Sequence, residues 1–121
     1  MIMSPEKARV FVAEDNKTWQ KIIAEYITAA GHEVILTATT LEEAEEAIVK
    51  FSELGIQVAI LDGNLGEYSY ESSDGRYLLS LIRKNSPDVK TIGMSAISVP
   101  GTDIDLGKEN ARDLGKTITN F

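Results

Sequence analysis

Arg9-Val10-Phe11-Val12-Ala13-Glu14-Asp15 is the stretch on which the fold turns: an apolar, largely β-branched run that stops at two adjacent carboxylates. A run this short, without polar alternation, reads as a strand buried on both faces. Two further runs repeat the arrangement. Val58-Ala59-Ile60-Leu61 stops at Asp62, and Thr91-Ile92-Gly93-Met94 stops at Ser95. Strands buried on both faces belong to parallel sheets, in which all strands point the same way. Residues just past their carboxyl ends gather at one edge, where open α/β sheets bind ligands. The three runs therefore predict a single acidic pocket.

Helical periodicity fills the intervals, giving the β-α-β alternation of a doubly wound sheet. Between Lys17 and Ala30, Ile22, Ile23, Tyr26, Ile27 and Ala30 share one face; Asn16 is placed to cap the start and Gly31 to end the helix in the left-handed conformation. Glu33 to Ala38 is the next strand. Thr40-Leu41-Glu42-Glu43 has capping-box spacing, and Ala44, Ala47, Ile48 and Phe51 form the apolar stripe of a second helix. A third runs from about Asp74 to Asn85, burying Leu78, Leu81 and Ile82, and Ser86-Pro87-Asp88 ends it.

The chain has 121 residues, enough for one domain with a real core and too few for two. A net charge of −7 with scattered Lys and Arg argues against nucleic acid, whose phosphates require clustered cations. There is no cysteine, which suits a reducing compartment. The start Met1-Ile2-Met3-Ser4-Pro5 lacks an apolar leader region, and no stretch reaches membrane-spanning length. These features predict a single cytoplasmic domain over residues 1–121, without membrane or nucleic-acid partners.

Charge dictates the chemistry of the pocket. Two carboxylates about 4 Å apart repel by roughly 4 kcal/mol at an effective dielectric of 20, so Glu14, Asp15 and Asp62 cannot share a cleft as bare anions. Raised pKa values or a bound cation must relieve them. An oxygen-only ligand set favours Mg²⁺, and no thiol or second histidine favours zinc. A carboxylate beside Mg²⁺ can attack a phosphoryl group and become an aspartyl phosphate, with catalysis reduced to in-line positioning and charge cancellation. Ser95 and a lysine would bind the equatorial oxygens.

Glu14-Asp15 after the first strand, Asp62 after the third, Ser95-Ala96 after the fourth and Lys108 after a possible fifth resemble the quintet of response-regulator receiver domains. The similarity spans essentially the whole chain. It implies a flavodoxin-like (CheY-like) sheet of five parallel strands in the order 2-1-3-4-5. It also implies Mg²⁺ held by Asp15 directly and by Glu14 mainly through water, with the backbone carbonyl of Asn64 as a further ligand. Asp62 would accept the phosphoryl group and complete the metal site; Ser95 and Lys108 would bind the phosphoryl oxygens. The phosphodonor would be a histidine kinase or histidine phosphotransfer protein. The chain would act as a monomeric switch, relay or sink in two-component signalling, with no output domain following.

The sequence also departs from that family. Leu65-Gly66 stands where a Met-Pro pair is usual, and Glu67 to Ser73 lengthens the path to Gly75. Between Ser95 and Lys108 there is little room for a fourth helix: Ile97-Ser98-Val99-Pro100-Gly101 leads almost at once to Thr102-Asp103-Ile104-Asp105-Leu106-Gly107-Lys108. The helix is therefore predicted to be short or absent, with Ala111, Leu114, Ile118 and Phe121 on a short last helix. A rival reading makes 103–114 the fourth helix and 116–121 the fifth strand, which would remove the lysine from the site. Glu109 replaces a usual proline, and Asp105 takes the place of a switch aromatic.

Each residue also has a plainer role. Glu14-Asp15 could cap the first helix, Asp62-Gly63 could be a turn, and Lys108 could be a solvated surface lysine. His32 reads as exposed. Trp19 is either a half-buried core residue or part of a partner-facing patch. Two other functions compete with the phosphoacceptor. One is a phosphatase of the haloacid-dehalogenase type, which also uses a strand-end aspartate, a Ser or Thr and a lysine, but usually has a second aspartate where this chain has Asn64. The other is a degenerate receiver serving only as a protein-binding scaffold.

Overall fold

A computed structural model describes residues 7–62, 65, 73–95 and 99–121. The strands are β1 (Arg9–Ala13), β2 (Glu33–Ala38), β3 (Val58–Leu61), β4 (Lys90–Gly93) and β5 (Ile104–Asp105), all parallel, in the order β2-β1-β3-β4-β5. Period-two alternation along the central strands sends their side chains into two cores. Phe11, Ala13, Ala59 and Leu61 pack with α2 (Leu41–Ile48), α3 (Phe51–Leu54) and α4 (Ser73–Asn85). Val10, Val12, Val58 and Ile60 pack on the other face with Ile23 and Ile27 of α1 (Lys17–Ala29) and Leu114 and Ile118 of α5 (Leu114–Thr119). The first core includes Phe11 against Phe51 edge to face, with ring centroids 5.1 Å apart.

The helix boundaries follow their local chemistry. The Asn16 side chain accepts the Trp19 N–H at 2.9 Å and starts α1; Gly31, at φ +91°, follows its end. Thr40 caps α2 by accepting the Glu43 N–H at 3.1 Å. The reciprocal half of the predicted capping box reaches one residue further back: the Glu43 carboxylate accepts from the Thr39 N–H at 2.8 Å and the Thr39 hydroxyl at 3.0 Å. The predicted second helix is also divided. It pauses at Val49-Lys50 and resumes for the single turn of α3, which keeps Phe51 buried. In α4, Leu78 and Ile82 are fully buried as predicted, whereas Leu81 is half-buried and Leu79 takes a core position.

His32 corrects a sequence expectation. It is 5% exposed, because the turn after α1 folds it between β1 and the C-terminal helix. Its Nδ1 accepts the Ala8 N–H at 3.0 Å, so Nε2 carries the proton towards the Thr119 hydroxyl, 2.9 Å away. Burial lowers its pKa.

The region after β4 follows the preferred reading, and the rival one fails. Residues 104 and 105 pair with Ile92 and Gly93 as β5, a 3₁₀ turn covers Lys108–Asp113, and α5 completes the chain. Ala111, Leu114 and Ile118 are buried as expected; Phe121 is 41% exposed, since α5 stops before it. No helix lies between β4 and β5 among the described residues; positions 96–98 fall outside them. In place of helical packing the connection is tied by side chains. The Asp103 carboxylate accepts the Thr91 N–H at 2.8 Å and hydroxyl at 3.1 Å, and the Arg83 guanidinium donates to the Gly101 carbonyl. Most of the long loop before α4 also lies outside the described residues, except Leu65, which is buried and donates its N–H to the Asp74 carboxylate at 2.9 Å.

Candidate phosphoryl and metal site

The site lies at the carboxyl edge of the central strands, and the sheet ladder itself positions it. The Glu14 N–H donates to the Ala38 carbonyl of β2 and the Asp62 N–H to the Ala13 carbonyl of β1, each at 2.9 Å. The ladder therefore runs one residue past the strands and fixes both acids side by side. Gln20, one helical turn beyond Asn16, donates its amide to the Glu14 and Ala38 carbonyls at 3.3 and 3.4 Å and ties the two strand ends together. Ser95 sits buried two residues past β4, at the same edge.

Lys108 arrives from the other end of the chain. The N–H groups of Leu106 and Gly107 both donate to the Gly93 carbonyl, at 2.9 and 3.0 Å, which clamps the end of β5 onto β4. Gly107 then takes φ +82°, a backbone angle that side chains rarely permit; a Cβ there would meet the Glu109 carboxylate at 2.5 Å. This turn directs the next side chain inward. The Lys108 ammonium stands 3.2 Å from Glu14 Oε1 and 3.8 Å from Asp62 Oδ2.

One carboxylate oxygen from each of Glu14, Asp15 and Asp62 lies within 4.8 Å of the others, with Glu14 and Asp62 buried and Asp15 exposed. A single ammonium leaves this cluster with excess negative charge. The conflict falls on Glu14, whose side chain is fully buried. Burial, reinforced by the Asp62 charge, pushes its pKa up to about 7, against the opposing pull of the Asn16 N–H and Lys108. Glu14 Oε2 accepts from the Asn16 N–H at 3.1 Å and from Lys108 at 3.4 Å. Oε1 is buried and has no hydrogen bond among the described residues; the ammonium 3.2 Å away makes a Coulombic contact without hydrogen-bond alignment.

A buried oxygen lacking a donor, beside two further carboxylates, is the donor set a hard cation takes up. Glu14, Asp15 and Asp62 fit Mg²⁺ on that ground. Asn64, the source of the expected backbone ligand, lies outside the described residues. The structure thus brings together Glu14, Asp15, Asp62 and Lys108 and places Ser95 at the same edge. The sequence reading missed the supporting roles of Gln20 and Gly107. The first was signalled only by its helical spacing from Asn16, the second by a glycine before the lysine.

No protein-family model matches the sequence, nor does any curated protein. Solved structures do. The receiver domain of the putative response regulator NarL from Mycobacterium tuberculosis superposes with a TM-score of 0.76 at 19% identity, covering 96% of both chains. A LuxR-family DNA-binding response regulator from Staphylococcus aureus gives 0.73 at 22%, covering 93% of this chain and 97% of that one. This is the receiver fold. The CheX–CheY–BeF₃–Mg²⁺ complex from Borrelia burgdorferi contains a chain with the same fold, at a TM-score of 0.62 and 24% identity, covering 76% of this chain and 64% of that one. At these identities the likeness establishes the receiver architecture, including the 2-1-3-4-5 order, and leaves function to the site. No helix among the described residues is long and apolar enough to cross a membrane.

Proposed function

We propose that this chain is a phosphoacceptor receiver domain of two-component signalling, phosphorylated on Asp62 by a phosphohistidine of a histidine kinase or histidine phosphotransfer protein. The observation that carries this reading is the convergence of Glu14, Asp15 and Asp62 within 4.8 Å, with the Lys108 ammonium 3.8 Å from Asp62, at the carboxyl edge of a receiver fold. Glu14, Asp15 and Asp62 would hold Mg²⁺, which when bound supplies charge neutralisation for the carboxylates and the incoming phosphoryl oxygens.

The chain's own residues do the rest. A carboxylate oxygen of Asp62 attacks phosphorus in line with the departing histidine nitrogen. The lysine, freed from its ion pairs with Glu14 and Asp62, turns its ammonium to donate an N–H to a phosphoryl oxygen, and the Ser95 hydroxyl donates to another. Glu14 and Asp15 would share the cation with the attacking carboxylate. The role as switch, relay or sink follows from the same chemistry and differs only in which protein reads the phosphoryl group.

Incubation with acetyl phosphate and Mg²⁺ followed by intact-mass spectrometry tests the proposal. Wild type should gain one phosphoryl group and Asp62→Asn none; a wild type that gains none refutes the phosphoacceptor role. Phosphate release from a chromogenic monoester would point instead to the phosphatase.

A further inference from the structure

Trp19 is the chain's sole tryptophan, and the receiver chemistry leaves it without a task. It lies on the first turn of α1, four residues after Asp15, and the Asn16 cap fixes that turn. It is half-buried and packs against the core that contains Val12 and Ile23. Its ring also meets the Lys108 ammonium, 5.5 Å from the ring centroid. The ammonium therefore has two kinds of neighbour, the carboxylates of Glu14 and Asp62 and an indole ring, and the lysine side chain is 18% exposed.

The two neighbours act differently. A carboxylate attracts the ammonium by accepting its N–H groups, and so competes with a phosphoryl oxygen for them. An aromatic face attracts the same charge through its quadrupole and takes none of its donors. A lysine stem is long and flexible, and without a second contact it would sample many positions. We propose that Trp19 is the positioning residue for Lys108, its indole face holding the ammonium at the site while leaving its N–H groups available to a phosphoryl oxygen on Asp62. The proposal rests on the phosphoacceptor reading, and the alternative for Trp19 is simple core filling.

Rates of phosphorylation by acetyl phosphate and Mg²⁺, followed by mass spectrometry on the full chain, separate these roles. Trp19→Leu, which keeps apolar bulk but removes the ring face, should slow wild-type phosphorylation about fivefold. Trp19→Phe, which keeps a ring face, should stay within about twofold of wild type. Tryptophan emission, which comes from Trp19 alone, should change when beryllofluoride and Mg²⁺ are added to wild type, because the ammonium held at the ring then donates its N–H groups to the phosphoryl mimic and its charge is partly neutralised beside the indole; Lys108→Met, which lacks the ammonium, should not show this change.

A Trp19→Leu rate equal to wild type, or a Trp19→Phe rate as low as that of Trp19→Leu, overturns the proposal while wild type remains phosphorylated. If Trp19→Leu does not fold, the Trp19→Phe rate and the emission change decide, and an emission unchanged in wild type that binds beryllofluoride overturns the proposal. A wild type that accepts no phosphoryl group removes the parent reading, and this one with it.

Discussion

Glu14 concentrates the electrostatic tension of the site in one carboxyl group. Its pKa of about 7 in the folded chain exceeds the ordinary 4.5, so the folded state binds this proton more tightly than the unfolded state. The resulting stabilisation is complete below pH 4.5 and is lost as pH rises through about 7. In metal-free buffer the melting temperature of wild type should therefore fall with rising pH across this window, relative to Glu14→Gln measured in parallel. Parallel pH profiles for the two proteins would show that Glu14 is not the strained group. Asp62→Asn bears on the same tension from its neighbour. It removes one of three crowded charges and keeps side-chain size, at the cost of a 3.8 Å contact with Lys108. Relief of repulsion should outweigh that loss, raising metal-free stability at neutral pH by about 1 kcal/mol. Chemical denaturation that finds the variant less stable would contradict the shared acidic cluster.

Among the helices, the contact of α1 with α5 depends on a close approach. Gly115 is buried where α5 crosses the end of α1, and a Cβ on it would stand 2.4 Å from the Ala30 Cβ and 3.4 Å from the Tyr26 carbonyl. Neither neighbour is a flexible side-chain end, so the helices must separate. Gly115→Ala should destabilise by about 1–3 kcal/mol in urea melts, and Ala30→Gly should recover part of the loss. Full additivity of the two substitutions would place the strain elsewhere. The spread of this effect would reach the hydrogen bonds of His32, since Thr119 lies on the same helix and its hydroxyl donates to the Gly115 carbonyl at 3.0 Å.

Across the whole molecule, the site joins residues separated by most of the chain: Glu14 and Lys108 are 94 positions apart. A ligand held by this site binds only the folded state and so stabilises the entire domain by mass action. Mg²⁺ at about a hundredfold excess over its dissociation constant should add about 2.7 kcal/mol, and Asp15→Ala should remove most of that gain. Differential scanning calorimetry with and without Mg²⁺ checks both; identical wild-type curves would reject the metal site. Asp15 suits this test because it is exposed, so its loss leaves the core intact.

Much of this was legible in the chain itself. Apolar runs ending in Glu14-Asp15, Asp62 and Ser95 specified the parallel sheet and the edge at which these residues gather, because strand burial and direction follow from local pattern. Asn16, Thr40 and Gly31 marked helix boundaries for equally local reasons. The tertiary structure alone decided the rest. His32 is buried because α5 folds back across it, which no pattern near Gly31 reveals. Glu43 reaches the Thr39 N–H and hydroxyl, one residue before the cap that the spacing marks. The short strand β5 is recognisable only by its pairing with β4, and Lys108 reaches the acids through the Gly93 clamp and the Gly107 turn. Trp19 meets that lysine because the first and last thirds of the chain pack together on one face of the sheet. Spacing in sequence encodes which residues share a strand or helix; contacts across 90 or so positions depend on how those elements pack.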